Sequence, residues 1–245
     1  MYNFFTENPK INGEYKITGA DYNHIKNVLR MKLGEEFLVS AGGESHLCKL
    51  LRYENETVVA QIICENYQDT SLPVEIYIFQ GLPKADKMEL IIQKAVELGV
   101  DKIFPVETSR SIVKLDEKKK DGKTARWQAI AESAAKQSKR TSIPTVEKAV
   151  SFTTALNLAK ELDLFLIPYE SKNGMQDTLC ALQSIKAGMK IGVLIGPEGG
   201  FDSKEIEKVS QINGKVISLG KRILRTETAA ITALSMLMLY AETCL

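Results

Sequence analysis

The sequence predicts two folding units of different class: a small β unit, followed by a larger α/β unit with a mostly parallel sheet. Three observations support this. Residues 36–64 are short apolar and β-branched runs separated by turn chemistry at Gly42-Gly43 and at 54–56. Strand-like and helix-like segments alternate from residue 74 onward. The run IGVLI at 191–195 is continuously apolar, as expected of a strand buried on both faces.

The first unit is expected to contain one helix packed on its strands. In the segment DYNHIKNVLRM at 21–31, Ile25, Val28 and Leu29 recur at helical spacing. The following polar stretch at 67–73 ends in a proline, as a short connection between domains would. We therefore predict a domain boundary near Leu72, with domains at 1–72 and 73–245.

The second unit reads as alternating strands and helices. Asp86 with Glu89, and Asp202 with Glu205, have the spacing of capping boxes, and Gly99 is a helix stop. Because ligands of parallel α/β sheets bind outside the carboxyl ends of the strands, the loops after the strands are the candidate site. The sequence predicts strands at 74–80, 102–105, 162–168, 191–195 and 216–219, and helices at 86–98, 127–137, 176–185, from 202, and 229–245.

Charge is distributed unevenly along a chain whose net charge is only +1. Residues 1–72 carry 7 basic and 10 acidic side chains, whereas residues 73–245 carry 25 and 21. Between residues 110 and 148 there are 11 basic side chains against 5 acidic ones, a local excess that would attract a polyanion. For the lysines at 118–120 alone, a solvated loop is the alternative interpretation.

Composition excludes several classes of protein. With 44% hydrophobic and 26% charged residues, the chain has ordinary globular usage. The start MYNFFTENPK does not resemble a secretory signal, and the apolar stretches are too short for a membrane span, so a cytoplasmic protein is expected. The four cysteines are far apart and the only histidines are His24 and His46, so neither disulfides nor a metal site are expected.

A glycine-rich turn, Gly196-Pro197-Glu198-Gly199-Gly200, directly follows the buried strand. Glycines allow close backbone approach, and the N–H groups ahead of the next helix can meet a ligand. The pattern is neither a Walker motif nor G-x-G-x-x-G, which disfavours a conventional phosphate site and a dinucleotide-dependent oxidoreductase. An ordinary turn remains the alternative.

The connection LGKRILRTETAA at 219–230 combines cations, a carboxylate and hydroxyls before the last helix. The alternative interpretation is a capped helix start, in which Thr226 would be the cap and Glu227 would favour the positive end of the helix dipole. The helix itself, AAITALSMLMLYAETCL, is apolar nearly all round. It therefore needs cover from the core or from a second subunit.

Taken together, these segments resemble the RsmE family of 16S rRNA (uracil-N3) methyltransferases of the SPOUT superfamily. The resemblance covers essentially the whole chain. It is carried by IGPEGGF and LGKRILRTETAA, and also by HIKNVLRMKLGEE (24–36), QGLPKADKMELIIQKAVELGV (80–100), the segment 110–114 and AESAAKQSKRTSIP (131–144).

The resemblance implies that the last segments of the α/β domain thread into a deep trefoil knot, whose loops at 195–200 and 218–224 hold S-adenosylmethionine. Glu198 would face the cofactor's cationic amino or sulfonium group, or else fix its own loop. The residues implied to bind the cofactor are Leu194, Ile195, Gly196, Glu198, Gly199, Gly200, Leu219, Gly220, Ile223, Leu224 and Thr228.

The resemblance also implies a PUA-like RNA-binding β-barrel at the N-terminus, a homodimer formed through the C-terminal domain, and 16S rRNA or the small ribosomal subunit as partner. Arg225 would stabilise the uracil anion and Glu227 would take the N3 proton, although the two could instead pair to order the loop. Arg140 could contribute from the partner subunit. The residues implied to contact RNA are Arg30, Arg110, Lys139 and Arg140.

Two rival functions remain open at this point. One is a ribosome-assembly factor that keeps the fold without turnover, which the intact glycine-rich loop and ILRTETA segment disfavour. The other is a related enzyme that methylates a ribose 2′-hydroxyl.

Overall fold

The computed structural model describes residues 1–170 and 174–245, which form two units. Unit 1 consists of residues 1–71 together with 135–143, and unit 2 consists of residues 72–134 and 144–245. The segment 135–143 consists of the last three residues of the long helix α3 (Glu117–Gln137) and the six residues that follow it. A single boundary in the sequence, such as one near Leu72, would therefore assign this segment to unit 2.

Unit 1 is built on a five-stranded sheet with the order β1-β3-β4-β5-β2. β1 runs parallel to β3, and the other pairs are antiparallel. The predicted helix is present but starts earlier than expected: α1 (Gly19–Asn23) continues as a π-helical turn, His24–Val28. Ile25 from this turn is fully buried with Phe4 and Phe37 of the sheet. The strands are β1 (Asn3–Phe5), β2 (Glu14–Ile17), β3 (Glu36–Ala41), β4 (Glu44–Glu54) and β5 (Thr57–Cys64).

Buried polar groups attach the segment 135–143 to this sheet. The backbone carbonyl of Arg140 accepts hydrogen bonds from Asn3 Nδ2 at 3.0 Å and from Ser40 Oγ at 3.2 Å. Lys136 forms an ion pair with Asp21 of α1 at 2.8 Å. The Ser40 hydroxyl can also donate to Asn3 Oδ1 at 3.0 Å, so the buried donor that depends on this segment is the Asn3 amide.

Unit 2 contains a parallel sheet with the order β12-β10-β11-β6-β7-β8, and β9 also pairs with β7. The alternation of strands and helices predicted this parallel arrangement correctly. β11 is central and apolar, and it pairs with β6 in the register that places Ile195 beside Gln80. The strands are β6 (Glu75–Gly81), β7 (Lys102–Glu107), β8 (Thr145–Val146), β9 (Val150–Ser151), β10 (Leu164–Pro168), β11 (Lys190–Ile195) and β12 (Lys215–Ile217).

The helices of unit 2 agree only in part with the sequence prediction. The first ten residues of the long helix α3 were not predicted, so the lysines at 118–120 lie on a helix rather than in a loop. The helix α4 and the two-residue strands β8 and β9 were also missed. The helices are α2 (Lys87–Glu97), α3 (Glu117–Gln137), α4 (Phe152–Ala159), α5 (Gln176–Gln183), α6 (Ser203–Gln211) and α7 (Thr226–Cys244).

One of the two predicted capping boxes is formed. Asp202 accepts from Lys204 N at 2.9 Å, and Glu205 accepts from Asp202 N at 2.9 Å, which closes the box at the start of α6. The prediction for α2 was wrong, because the Asp86 side chain makes no capping hydrogen bond. Glu89 instead forms an ion pair with Arg126 at 2.8 Å.

The helix α7 is covered on one side by its own unit. Ala230, Leu234 and Leu237 are buried on that side, and the helix packs against α2. On the other side Leu239 remains 59% exposed. No helix in the part of the chain that the structure describes is long and apolar enough to cross a membrane.

Candidate functional site

A cavity of about 590 Å³ lies at the carboxyl ends of β10, β11 and β12. Its volume suits a ligand of cofactor size. One wall is the glycine-rich turn after β11, and a second is the connection from β12 to α7. The lining residues come from four stretches and from Lys87: they are 168–170 with Gly174 and Met175, 195–198, Gly200 with Phe201, and 218–226 with Ala229.

The first wall is shaped by glycines and anchored by an aromatic ring. Gly200 has a φ of +67°, a conformation that favours glycine, and its N–H donates to the Pro197 carbonyl at 2.9 Å. A Cβ on Gly196 would come within 3.4 Å of the Gly200 backbone. Phe201 is buried in the core of unit 2 and so fixes the end of the turn. The turn is therefore a preformed backbone cradle.

Close packing against the end of β6 also shapes this wall. A Cβ on Gly81 would lie 2.6 Å from Cδ of Pro197, closer than a Cβ comes to a neighbouring atom, so a side chain there would displace the turn. On its other side the turn is held by Arg110, whose Nη1 donates to the Gly199 carbonyl at 2.9 Å.

The second wall is pinned where it leaves β12. Ser218 and Thr178 of α5 exchange two hydrogen bonds, at 2.8 and 3.0 Å, through the Ser218 backbone. Gly220 then adopts a φ of +110°. Beyond it, Lys221, Arg222 and Arg225 are exposed and line the cavity. The rim of the cavity is therefore cationic.

A chain of buried hydrogen bonds joins the two walls. The Thr226 hydroxyl donates to the Gly196 carbonyl at 2.7 Å and accepts from Gln80 Nε2 at 2.9 Å. Gln80 is fully buried and also donates to the Gly81 carbonyl at 2.9 Å. The end of β6, the turn after β11 and the start of α7 are thus held together at one point.

A lysine and two glutamates meet beside this point. The Lys87 ammonium lies 3.0 Å from Oε1 of Glu198 and 3.4 Å from Oε2 of Glu227. The Lys84 N–H also donates to both Glu198 oxygens, at 3.1 and 3.3 Å. Glu198 is therefore held by the start of α2.

These contacts shift the protonation equilibria of Lys87 and Glu198. Burial alone would raise the pKa of Glu198, but hydrogen bonds from its own N–H, from Lys87 and from the Lys84 N–H lower that pKa below its ordinary value. The hydrogen bond to Glu198 raises the pKa of Lys87. Both groups are charged at neutral pH, so the pair is ionic.

The structure brings most of the predicted cofactor residues to the cavity. Those that line it are Ile195, Gly196, Glu198, Gly200, Leu219, Gly220, Ile223 and Leu224. The other three do not line it. Leu194 is fully buried in the core, the Gly199 carbonyl accepts a hydrogen bond from Arg110, and Thr228 is exposed on α7. Of the two predicted catalytic residues, Arg225 lines the cavity, whereas Glu227 reaches Lys87 from the first turn of α7.

The four predicted RNA contacts differ in accessibility. Arg30 and Arg110 are exposed, and Lys139 is half-buried with a φ of +58°. Arg140 is only 6% exposed, so in this conformation its guanidinium offers almost no surface to a phosphate. Arg110 is engaged by the glycine-rich turn, as described above.

Sequence reasoning missed Gln80, Lys87 and the role of Thr226 at the contact between the walls. It also missed the stretch 168–170, which directly follows β10. The available signal was that these residues lie at the carboxyl ends of strands or in the loops and helix starts that follow. To use it, one needs to know that β6 and β10 flank β11, which the sequence does not show.

A family model for RNA methyltransferase domains matches residues 70–238, and a model for the PUA domain of RNA methyltransferases matches residues 17–63. Ribosomal RNA small subunit methyltransferase E of Bacillus subtilis is 38% identical over 93% of this chain and 91% of its own length. The chain belongs to this methyltransferase E family. The resemblance seen in the sequence is thereby confirmed.

Solved structures of relatives carry the same fold. A ribosomal RNA small subunit methyltransferase E from Neisseria gonorrhoeae, bound to S-adenosyl methionine, is 30% identical with a TM-score of 0.82, covering 96% of this chain and 95% of that one. A protein from Legionella pneumophila in complex with SAM is also 30% identical with a TM-score of 0.82, covering 97% and 96%. Together with the parallel sheet and the PUA match, these relatives confirm the predicted fold class, an α/β domain with a parallel sheet preceded by a PUA-like domain. The knot remains a prediction.

Proposed function

We propose that this protein transfers the methyl group of S-adenosylmethionine to N3 of a uridine in the 16S RNA of the small ribosomal subunit. It is a methyltransferase that acts on small-subunit rRNA with this cofactor, as its membership of the methyltransferase E family indicates. The observation that carries the proposal is that the two glycine-bearing loops form the walls of a single cavity.

The residues that line the cavity fit the cofactor. Ile195, Leu219 and Leu224 supply apolar surface for an adenine ring, and Gly196 and Gly200 allow the backbone to approach it closely. Glu198, the cavity-lining carboxylate paired with Lys87, supplies negative charge for a cationic group. The residues that line the cavity therefore match a ligand with one aromatic end and one cationic end.

Two side chains are proposed to act on the uracil. When bound, S-adenosylmethionine would supply an electrophilic methyl group carried on a sulfonium sulfur, which is the leaving group. Uracil N3 becomes a good nucleophile only after losing its proton. The Arg225 guanidinium, exposed at the cavity, would stabilise the uracil anion through the carbonyl oxygens. Glu227 would accept the N3 proton.

The ionic contact of Glu227 argues against the simpler role for this residue. If Glu227 only ordered its loop through Arg225, the two would form an ion pair. In the structure the cation at Glu227 is Lys87, at 3.4 Å. Arg225 is thereby left at the cavity rim, where a nucleotide can reach it.

RNA binding is proposed to use both units. The PUA domain of unit 1 exposes Arg30, and unit 2 exposes Arg110 beside the glycine-rich turn. Guanidinium groups at such positions contact phosphates, which position the RNA without reading its sequence. The target uridine has to leave any base stack before it enters the cavity, at a cost of a few kcal/mol.

The assembly and location of the protein belong to the same proposal. The exposed side of α7, with Leu239, is proposed to pair with a second copy in a homodimer formed through the C-terminal domain. The deep trefoil knot, with the loops at 195–200 and 218–224 as its walls, stays a prediction. We place the protein in the cytoplasm, where its ribosomal RNA substrate is found. Within residues 1–170 and 174–245 no cluster of side chains that could hold a metal ion is formed.

The experiment that tests the function uses the purified protein, methyl-labelled S-adenosylmethionine and small ribosomal subunits that lack the modification. We expect label in 16S rRNA, recovered as 3-methyluridine by mass analysis of nucleosides, and a reverse-transcription stop one base before the site. A ribose 2′-O-methyl product, with only a weak pause, would favour the rival enzyme. Saturable RNA binding without transfer would favour an assembly factor.

A further inference from the structure

Lys87 connects three chain segments that are distant in sequence. It is the first residue of α2, Glu198 belongs to the turn after β11, and Glu227 belongs to the first turn of α7. The Lys87 side chain lines the cavity and is 32% exposed. It is therefore placed to influence both proposed functions of the cavity, cofactor binding and proton transfer.

The two glutamates do not depend on Lys87 equally. Glu198 accepts from the Lys84 N–H with both oxygens, so it keeps a partner when Lys87 is removed. Oε2 of Glu227 is buried and accepts no hydrogen bond from the described residues, and its side chain is 15% exposed. The Lys87 ammonium at 3.4 Å is close enough for ionic attraction. Loss of Lys87 therefore affects Glu227 more than Glu198.

We propose that Lys87 is a positioning residue for methyl transfer, which holds the Glu227 carboxylate in the orientation that proton acceptance requires. This proposal rests on the proposed function, in which Glu227 accepts the uracil N3 proton. In this proposal Lys87 acts through Glu227 and not on the base itself. It acts by ionic attraction on a partly buried carboxylate whose Oε2 accepts no hydrogen bond within the described chain.

The surrounding charges make this function specific to Lys87. The other cations that line the cavity, Lys221, Arg222 and Arg225, come from the exposed rim of the second wall. Glu170 is the remaining carboxylate of the lining. Among the described residues Lys87 is the cation paired with both Glu198 and Glu227, so no neighbouring ion pair replaces its ammonium group.

The test separates catalysis from cofactor binding. We would measure kcat for 3-methyluridine formation and, by equilibrium dialysis, the Kd for labelled S-adenosylmethionine, using wild type, Lys87→Met, Lys87→Arg and Glu227→Gln. Lys94→Met is the matched control, because Lys94 lies on the same helix, is similarly exposed and forms an ion pair with Glu97 at 2.9 Å. Thermal unfolding of each variant checks that it is folded.

For Lys87→Met we expect kcat to fall by about one to two orders of magnitude, the scale of a misplaced reacting group. The Kd should rise by no more than about fivefold, the upper range for a solvent-exposed ion pair. Lys87→Arg should recover most of kcat, and Lys94→Met should behave as wild type. Combining Lys87→Met with Glu227→Gln should lower kcat no further than Glu227→Gln alone, since both changes disable the same carboxylate.

Four results would overturn the proposal. If Lys87→Met keeps its kcat, the ion pair is only a surface contact. If kcat and affinity fall by the same factor, or if Lys87→Arg shows the same loss as Lys87→Met, Lys87 serves the cofactor or the fold rather than Glu227. If wild type itself makes no 3-methyluridine, the proposed function is wrong, and this proposal is wrong with it. If wild type is active, an unfavourable result for Lys87→Met counts against the role of Lys87 alone.

Discussion

The Thr226 hydroxyl donates a hydrogen bond to the Gly196 carbonyl across 2.7 Å. These residues are distant in sequence, and each belongs to one of the two loops that line the cavity. Because Thr226 also accepts from the buried amide of Gln80, its hydroxyl is used in both directions. This hydroxyl therefore links the two walls of the cavity to each other and to the end of β6.

Replacing Thr226 by Val should weaken both the fold and cofactor binding. The change keeps the shape but leaves the Gly196 carbonyl without this donor in a buried setting, which costs about 1–3 kcal/mol of unfolding free energy. We expect a matching loss of S-adenosylmethionine affinity by isothermal titration calorimetry. Thr124→Val is the control, because Thr124 Oγ1 is buried without a hydrogen-bond partner among the described residues. An equal loss of unfolding free energy and of cofactor affinity in Thr226→Val and Thr124→Val would contradict this expectation.

Replacing Arg225 by Ala should abolish transfer while sparing the cofactor. Removing one group that stabilises transition-state charge typically lowers kcat on the order of 100- to 1,000-fold. Single-turnover transfer and equilibrium dialysis would measure the two effects separately. Arg126→Ala is the control, because this arginine pairs with Glu89 on the surface. Should rate and affinity fall equally, Arg225 binds the cofactor instead.

Replacing Gly81 by Ala tests the close approach of β6 to the glycine-rich turn. The new Cβ would lie 2.6 Å from Pro197 Cδ and 2.8 Å from Pro197 N, so the turn has to move. Such overpacking typically costs about 1–3 kcal/mol, measurable by denaturant unfolding. Gly122→Ala provides the opposite expectation: its Cβ meets open space on α3, and alanine stabilises a helix interior by up to about 1 kcal/mol. A Gly81→Ala protein with unchanged stability and cofactor affinity would refute the expectation.

Arg30 and Arg140 should respond differently to removal. Arg30 is exposed, so Arg30→Ala should weaken RNA binding and reduce the slope of log K against log salt by about one, with stability unchanged. Arg140 is buried in unit 1, so Arg140→Ala should mainly lower the unfolding temperature. Filter binding at several salt concentrations and thermal unfolding distinguish them. Unchanged RNA affinity in Arg30→Ala would remove Arg30 from the interface.

Replacing Leu239 by Glu should convert the proposed dimer into monomers. Leu239 is 59% exposed on α7 in the single chain, and a charge buried in a dimer interface without a partner is unfavourable. Light scattering after size-exclusion chromatography gives the mass of the particle. Ile11→Glu is matched for exposure, at 59% on unit 1, and should leave the dimer intact. A dimer that survives Leu239→Glu would place the interface elsewhere.

The predictable parts of the fold are those that local pattern determines. β11 was predicted because a strand buried on both faces needs an unbroken apolar run, and α6 because Asp202 and Glu205 carry its cap. The first turns of α3, EKKKDGKTAR, have no apolar stripe and include ion pairs such as Lys120 with Glu117 at 3.1 Å. Strands of two residues, as in β8, are too short to carry any alternation.

The predictable part of the site is the pair of loops, whose composition is unusual for turns. Gln80 and Lys87 were missed because their functions depend on β6 lying beside β11, a pairing that joins Gln80 to Ile195. Glu227 was singled out from its motif, but its partner Lys87 was not, since the contact joins residues far apart in sequence. Long-range pairing of this kind has no local signature.

The most direct measurement is a crystal structure of the protein grown with S-adenosylmethionine. The account predicts that the cofactor lies in the cavity between the turn at 195–200 and the connection at 218–225, with its methyl group accessible from the side of Arg225. A cofactor found at another place on the chain, with this cavity empty, would contradict it.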